Sequence, residues 1–167
     1  MAAIWFDADV GNLMAGTVNV SAVVDASQRL LAAGATKTLT AADDGKVILL
    51  DTAAGSVVTL PASSGSGVRY RFVISTKATS NSHKVQVANA SDIMQGVVLT
   101  LSDNSAAVLG YAAGSSDDTI TLNRTTTGST QVGEYIDVID IATNVWAVSG
   151  VTASTGAEGT PFSAAVS

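Results

Sequence analysis

From Gly45 onward, short apolar runs that alternate with polar positions are separated by clusters of Gly, Ser, Asn and Asp, the pattern of strands joined by turns. The stretch "GKVILLDTAAGSVVTLPASSGSGVRYRFVI", Gly45 to Ile74, holds three such runs. Val47 to Asp51 and Ser56 to Leu60 flank "TAAG", a spacing that predicts a hairpin. Pro61 has no N–H to give to a ladder and closes the second run. "ASSGSG" reads as a flexible surface loop. Val68 to Thr76 then alternates, with Tyr70, Phe72 and Ile74 on a core face and Arg69 and Arg71 on the other. Further strands are predicted over Lys84 to Ala88, Ile93 to Leu101, Thr119 to Arg124, Tyr135 to Ile141 and Val145 to Gly150. With no convincing long helix after Gly34, the pattern predicts an all-β chain, an antiparallel β-sandwich or small barrel of jelly-roll type.

Two segments read differently. In "TLTAADDGK", Thr40 stands at an N-cap, Asp43 three residues on completes a capping box, and Gly45 ends the turn after about one cycle. Residues 1–35 carry the aromatic cluster Ile4, Trp5 and Phe6, the acidic pair Asp7 and Asp9, and a Val/Ala-rich run to "RLLAAG". There "TVNVSAVV" alternates like a strand, while Val23, Val24, Leu30 and Leu31 also permit two helical turns. The expected organisation is an extended N-terminal arm over 1–35, a β-domain over 36–152 and a C-terminal tail over 153–167. Ile4, Trp5 and Phe6 either pack on the chain's own core or latch onto a neighbouring subunit.

One strand holds more apolar surface than one buried face needs. In "EYIDVIDIA", Tyr135, Asp137, Ile139 and Ile141 share one parity, and Glu134, Ile136, Val138 and Asp140 the other. A second apolar face wants a cover, supplied by the arm, by another subunit or by the chain's own loops. Ile136 and Val138 are therefore candidate subunit contacts.

Charge narrows the partners. Charged residues make up 13% of the chain, the formal net charge is −6, and the eight Lys and Arg are scattered. This argues against duplex DNA and anionic membranes as partners, since counterion release needs clustered cations. There is no Cys, which excludes disulfides, thiolate metal sites and a Cys nucleophile. The N-terminus lacks the basic and apolar regions of a signal peptide, and no apolar run approaches the roughly 20 residues of a membrane helix. A soluble chain made in a cytoplasm is expected.

Candidate chemistry is thin. The single histidine, His83, falls in "TSNSHKV" with no nucleophile elbow to serve, and reads as a solvated loop residue. Neither HExxH, Walker A nor GxGxxG occurs. "DADVGN", Asp7 to Asn12, lacks the later ligands of a calcium loop, and the pairs Asp43-Asp44 and Asp117-Asp118 have turn or capping explanations. No catalytic residue, metal site or cofactor is expected. Arg69 and Arg71 are the one concentrated positive feature. They are either a solvated face that discourages sheet aggregation or a contact to Asp51, Asp137 or Asp140 of a neighbouring subunit or to an acidic docking surface.

"LTAADDGKVILLDTAAGSVVTLPASSGSGVRYRFVI" together with "VGEYIDVIDIATNVWAVSG" resembles a family of small β-rich phage structural proteins, the capsid decoration or head cement proteins. The matching positions are Leu39 to Gly45, Val47 to Asp51, Val58 to Pro61, Gly67 to Ile74, Gly133 to Ile136 and Trp146 to Gly150. The resemblance covers about Thr38 to Gly150 and leaves the first 35 residues unexplained. It implies a non-enzymatic protein on the capsid surface of a virion, synthesised in the host cytoplasm. Such a protein binds as a homotrimer across neighbouring subunits of the major capsid protein. The same module occurs in tail fibres, so a glycan-recognising receptor-binding role is the alternative, with Tyr111 in "VLGYAAGSS" as its one loop aromatic. The arm would then be where docking is sought.

Overall fold

The computed structural model describes residues 4–7, 12–15 and 29–166. Among these are the strands β1 (Ile4–Asp7), β2 (Asn12–Ala15), β3 (Leu30–Ala32), β4 (Thr36–Thr38), β5 (Val47–Leu50), β6 (Val57–Thr59) and β7 (Arg69–Ile74). There follow β8 (His83–Gln86), β9 (Ile93–Leu101), β10 (Val108–Ala112), β11 (Thr119–Leu122), β12 (Tyr135–Ala142), β13 (Val145–Ala153) and β14 (Phe162–Ser163). Among the described residues a 3-10 turn, Ala41–Asp43, precedes β5. The chain is all-β. No described helix is long and apolar enough to cross a membrane.

Two mixed sheets form a sandwich. The long one has the order β10-β9-β13-β12-β7-β5-β3 and the short one β14-β11-β8-β6-β4. β1 and β2 pair with each other, Ile4 opposite Ala15, so part of the expected extended arm is paired strand. The segment 16–28, where strand and helix were both open, lies outside the described residues.

The sheets are not purely antiparallel as expected, and the reason lies in the route of the chain. From β3 to β8, successive strands alternate between the sheets, so each sheet receives every second strand running the same way. β3, β5 and β7 are consequently parallel neighbours in the long sheet, and β4, β6 and β8 in the short one. β9 and β13 form a further parallel pair. "TAAG" is accordingly an arch between sheets and no hairpin. Ile48 and Leu50 on one side of it, and Val58 and Leu60 on the other, all point into the core. Period-two alternation tells which side of a strand is buried, but not which strand lies beside it.

The interior is filled by the predicted core face Tyr70, Phe72 and Ile74, joined by Met94, Val98, Ile120, Leu122, Trp146 and Val148. Each of the largest of these contributes about 1.5–3 kcal/mol through burial. Tyr70 and Trp146 pack with ring centroids 6.0 Å apart and planes inclined at 37°. The Tyr70 hydroxyl donates to the Thr40 carbonyl at 2.8 Å, which ties β7 to the 3-10 turn. In that turn the Asp43 carboxylate accepts from the Thr40 N–H at 3.0 Å and the Thr40 hydroxyl at 3.1 Å, the reciprocal contact expected of "TLTAADDGK".

Besides β1, β2 and β4, the strands β3, β10 and β14 come from segments with no strand expectation. β3, within the expected arm, forms one edge of the long sheet, and β10, within an expected loop, forms the other. β14 brings residues expected as a tail into the short sheet, where Phe162 is buried. The Asp118 carboxylate holds the chain beyond it by accepting from the Ala165 and Val166 N–H groups at 2.8 and 3.2 Å.

Candidate functional site

The side of the long sheet that faces away from the short one is the most extensive feature a partner could use. Its residues follow from register. One row runs Leu30, Val47, Arg71, Asp137, Ser149, Val97, Ala112 across all seven strands, and the next runs Ala32, Leu49, Val73, Tyr135, Val151, Leu99, Gly110. Ala153, Leu101 and Val108 extend the face at one end, and Arg69, Ile139, Ala147 and Gln95 at the other. The only ionised groups in these rows are Arg69, Arg71 and Asp137, all on β7 and β12. The β13, β9 and β10 part carries none, and on it Val97, Leu99, Leu101 and Val108 are 43–55% exposed. Isolated apolar surface residues are ordinary, but a contiguous apolar sheet face marks an interaction site.

The charged part is organised. Arg71 and Asp137 are cross-strand partners, joined through Nε to Oδ1 at 2.7 Å and Nη2 to Oδ2 at 2.6 Å, a bidentate fork. The guanidinium also lies 4.8 Å from the Tyr135 ring centroid. The Asp137 carboxylate raises the Arg71 pKa further, so this arginine stays charged. Beside the pair lies a depression of about 370 Å³ whose lining includes Gly45, Val47, Arg69 and Ile139.

Arg69 and Arg71 thus sit where the alternation placed them, on the outer face. Ile136 and Val138 do not. Both are fully buried between the sheets and cannot be subunit contacts; on that strand the outward apolar residues are Ile139 and Ile141, 39% and 55% exposed. The pattern displayed both parities of β12, but an Asp among the candidates on each side hid which parity was inward. Ile4, Trp5 and Phe6 lie on β1, and their side chains are outside the described residues. Tyr111 is no loop aromatic: it is half-buried on β10, opposite the inward Val98.

The three carboxylates considered for a neighbour's arginine are all engaged within the chain. Asp51 accepts from the Gly34 N–H at 2.8 Å, and Asp137 holds Arg71. Asp140, inward on β12, accepts from the Ser64, Gly65 and Ser66 N–H groups at 2.7–3.0 Å and from the Ser66 hydroxyl at 2.6 Å. Its burial alone would raise its pKa, but the Ser66 hydroxyl and these N–H groups overcome that and hold it at about 2. "ASSGSG" is therefore pinned at its centre, contrary to the expectation of a free loop.

Other acids act in the same way. Glu134, also inward, accepts from the Ser129 and Thr130 N–H groups at 2.8 and 2.7 Å, and Asp92 takes the Ser63 N–H and hydroxyl, each at 3.1 Å. Asp117 accepts from the Gly114 N–H at 2.7 Å, the turn role expected of its pair, whereas Asp44 accepts from the Arg69 N–H at 2.9 Å and so ties the 3-10 turn to β7 over 25 residues. Among the described residues no three His, Asp or Glu side chains converge where they could hold a metal ion.

His83 is the largest departure. It is fully buried at the start of β8, with Nδ1 accepting from the Ser56 N–H at 3.0 Å and Nε2 2.9 Å from the Thr76 carbonyl. These partners require the proton on Nε2. Nothing nearby in sequence signals this, because Ser56 is 27 residues away and reaches His83 only through the arch. Comparison with protein-family models, curated proteins and solved structures returns no match to this chain.

Proposed function

We propose that this chain is a structural virion protein that decorates a phage capsid, binding as a homotrimer across neighbouring copies of the major capsid protein. The observation that carries the reading is the outer face of the long sheet, largely apolar across seven strands, with Arg69, Arg71 and Asp137 as its only ionised groups in the paired rows. A face of this kind serves association, and the buried carboxylates that tie the loops to the strands keep it rigid. The sequence resemblance supplies the partner. Most of its motif positions have structural roles here: Leu39 to Gly45 contain the capped turn, Val58 to Pro61 cover the end of β6 with Val58 and Leu60 in the core, and Trp146 to Gly150 lie on β13.

The mechanism is mechanical. A protein that binds only the closed shell stabilises it by mass action, since opening the shell must also break the added contacts. A symmetric trimer presents three identical contacts to a local three-fold site. Arg69, with no carboxylate partner among the described residues, is available to an acidic group on the capsid, while Ile4, Trp5 and Phe6 are candidates for anchoring. The test is co-sedimentation of the purified chain with capsids of the virus that encodes it. Saturable binding is expected, weakened when Arg69 and Arg71 are both changed to Ser. Absence of binding by the intact oligomer would contradict the reading.

A further inference from the structure

The outer face of the long sheet is not uniform. On β7 and β12 it carries Arg69, Arg71 and Asp137, whereas on β13, β9 and β10 every outward position is uncharged: Ala147, Ser149, Val151 and Ala153, then Gln95, Val97, Leu99 and Leu101, then Val108, Gly110 and Ala112. No described residue covers Val97, Leu99, Leu101 or Val108, which keep about half of their surface open. The patch is also smooth. Leu99 and Val97 reach over the missing side chain of Gly110, whose Cβ position lies 3.6 Å from each, so the β9 ridge fills the gap on β10.

The geometry points to a second copy of this chain as the occupant of this patch, with β9 and β10 set beside the symmetry axis of a closed homo-oligomer. Symmetry supplies the argument. Residues beside an axis meet their own copies, so any charge there is repeated at short range with the same sign. In a chain of net charge −6, self-association is opposed unless the contact avoids its ionised groups. This half of the sheet does so at every outward position. Around a three-fold axis three copies of this face close on one another, and an even apolar surface is what that packing uses. The charged half, farther from the axis, is left for contacts between unlike surfaces.

This deepens the proposed function and rests on its self-assembly, but not on its capsid partner. The test uses the purified full chain in solution. Multi-angle light scattering is expected to give an oligomer for the wild type and a monomer for Leu99→Asp, whose outward position leaves folding intact by circular dichroism. Should that variant fail to fold, Leu99→Cys provides a unique thiol in a chain without cysteine. Its reaction with maleimide is expected to slow about tenfold or more when the protein is concentrated from the monomeric to the oligomeric range. Ser80→Cys, exposed on the β7–β8 loop, should react equally under both conditions.

A monomeric wild type at high micromolar concentration would overturn the inference. So would an oligomer unaffected by Leu99→Asp, or a Leu99→Cys thiol that reacts like Ser80→Cys in the oligomer. A Leu99→Cys thiol protected at every dilution would overturn it in favour of cover by the chain's own N-terminal segment. Loss of capsid binding with the oligomer intact would instead count against the proposed function and leave this surface standing.

Discussion

Arg71 and Asp137 face each other across β7 and β12 and are joined by two hydrogen bonds of 2.7 and 2.6 Å. The pair makes the β7–β12 part of the outer face directional without leaving either charge free. It is half-open to solvent, with the two side chains 52% and 27% exposed, so water screens it. A double-mutant cycle on Arg71→Ala and Asp137→Ala in the monomer is expected to give a coupling of about 1 kcal/mol or less by urea unfolding. A coupling of several kcal/mol would mean that the pair is a folding element and not a surface feature.

Asp140 has the opposite character, being buried with at least five donors around its carboxylate. Its folded pKa of about 2 lies below the ordinary value of 3.8. A depressed carboxylate pKa contributes stability that is present in full above the unfolded value and is lost as pH falls through the folded one. Asp140→Asn should therefore cost about 2 kcal/mol or more at pH 7, and the gap to wild type should narrow between pH 4 and pH 2. Urea midpoints across that range check this, and a gap independent of pH would refute the role given to the carboxylate.

His83 provides a second, separate window. Burial lowers its pKa, opposed by the Thr76 carbonyl and by the more distant Asp51 and Glu134 carboxylates. Below about 6.5 the unfolded chain binds a proton that the folded chain resists, so stability declines as the medium is acidified from there. Because His83 is the sole histidine, wild-type stability should fall between pH 6.5 and pH 5 while His83→Gln stays nearly flat. Equal slopes for the two proteins would exclude the buried, neutral imidazole.

Close approach of strands explains two glycines. Gly96 has φ +143, and a Cβ there would collide with the Val148 carbonyl across the parallel β9–β13 pair. At Gly150 a Cβ would lie 2.7 Å from the Tyr135 carbonyl and 2.6 Å from Ile136 Cδ1. Gly96→Ala is expected to cost about 3 kcal/mol or more, read as loss of soluble folded protein. A variant with near-native urea stability would show that the strands separate more easily than this packing implies.

Strand positions were legible wherever alternation was strong. Arg69 to Ile74 and Ile93 to Leu101 match their predicted runs closely, and the capped turn at Thr40 was marked by local chemistry. What was not legible is long-range. The arch at "TAAG" differs from a hairpin only in which strands its arms later meet, and those partners lie in other parts of the chain. β10 was hidden by Gly110 at its centre and by the small residues Ala106, Ala107, Ala112 and Ala113 at its ends, and β3 and β14 are too short for a periodic signal. At the candidate site the outer position of Arg69 and Arg71 was readable from parity. The burial of Ile136 and Val138 was not, because β12 is apolar on both sides and Asp140 is inward only by virtue of the Ser64 to Ser66 donors.

If the chain covers a viral shell, as proposed, its copy number per purified particle shows this most directly. Quantitative mass spectrometry against the major capsid protein is expected to find the two chains in comparable numbers. A handful of copies would move the protein to the tail, and absence from particles would contradict the account.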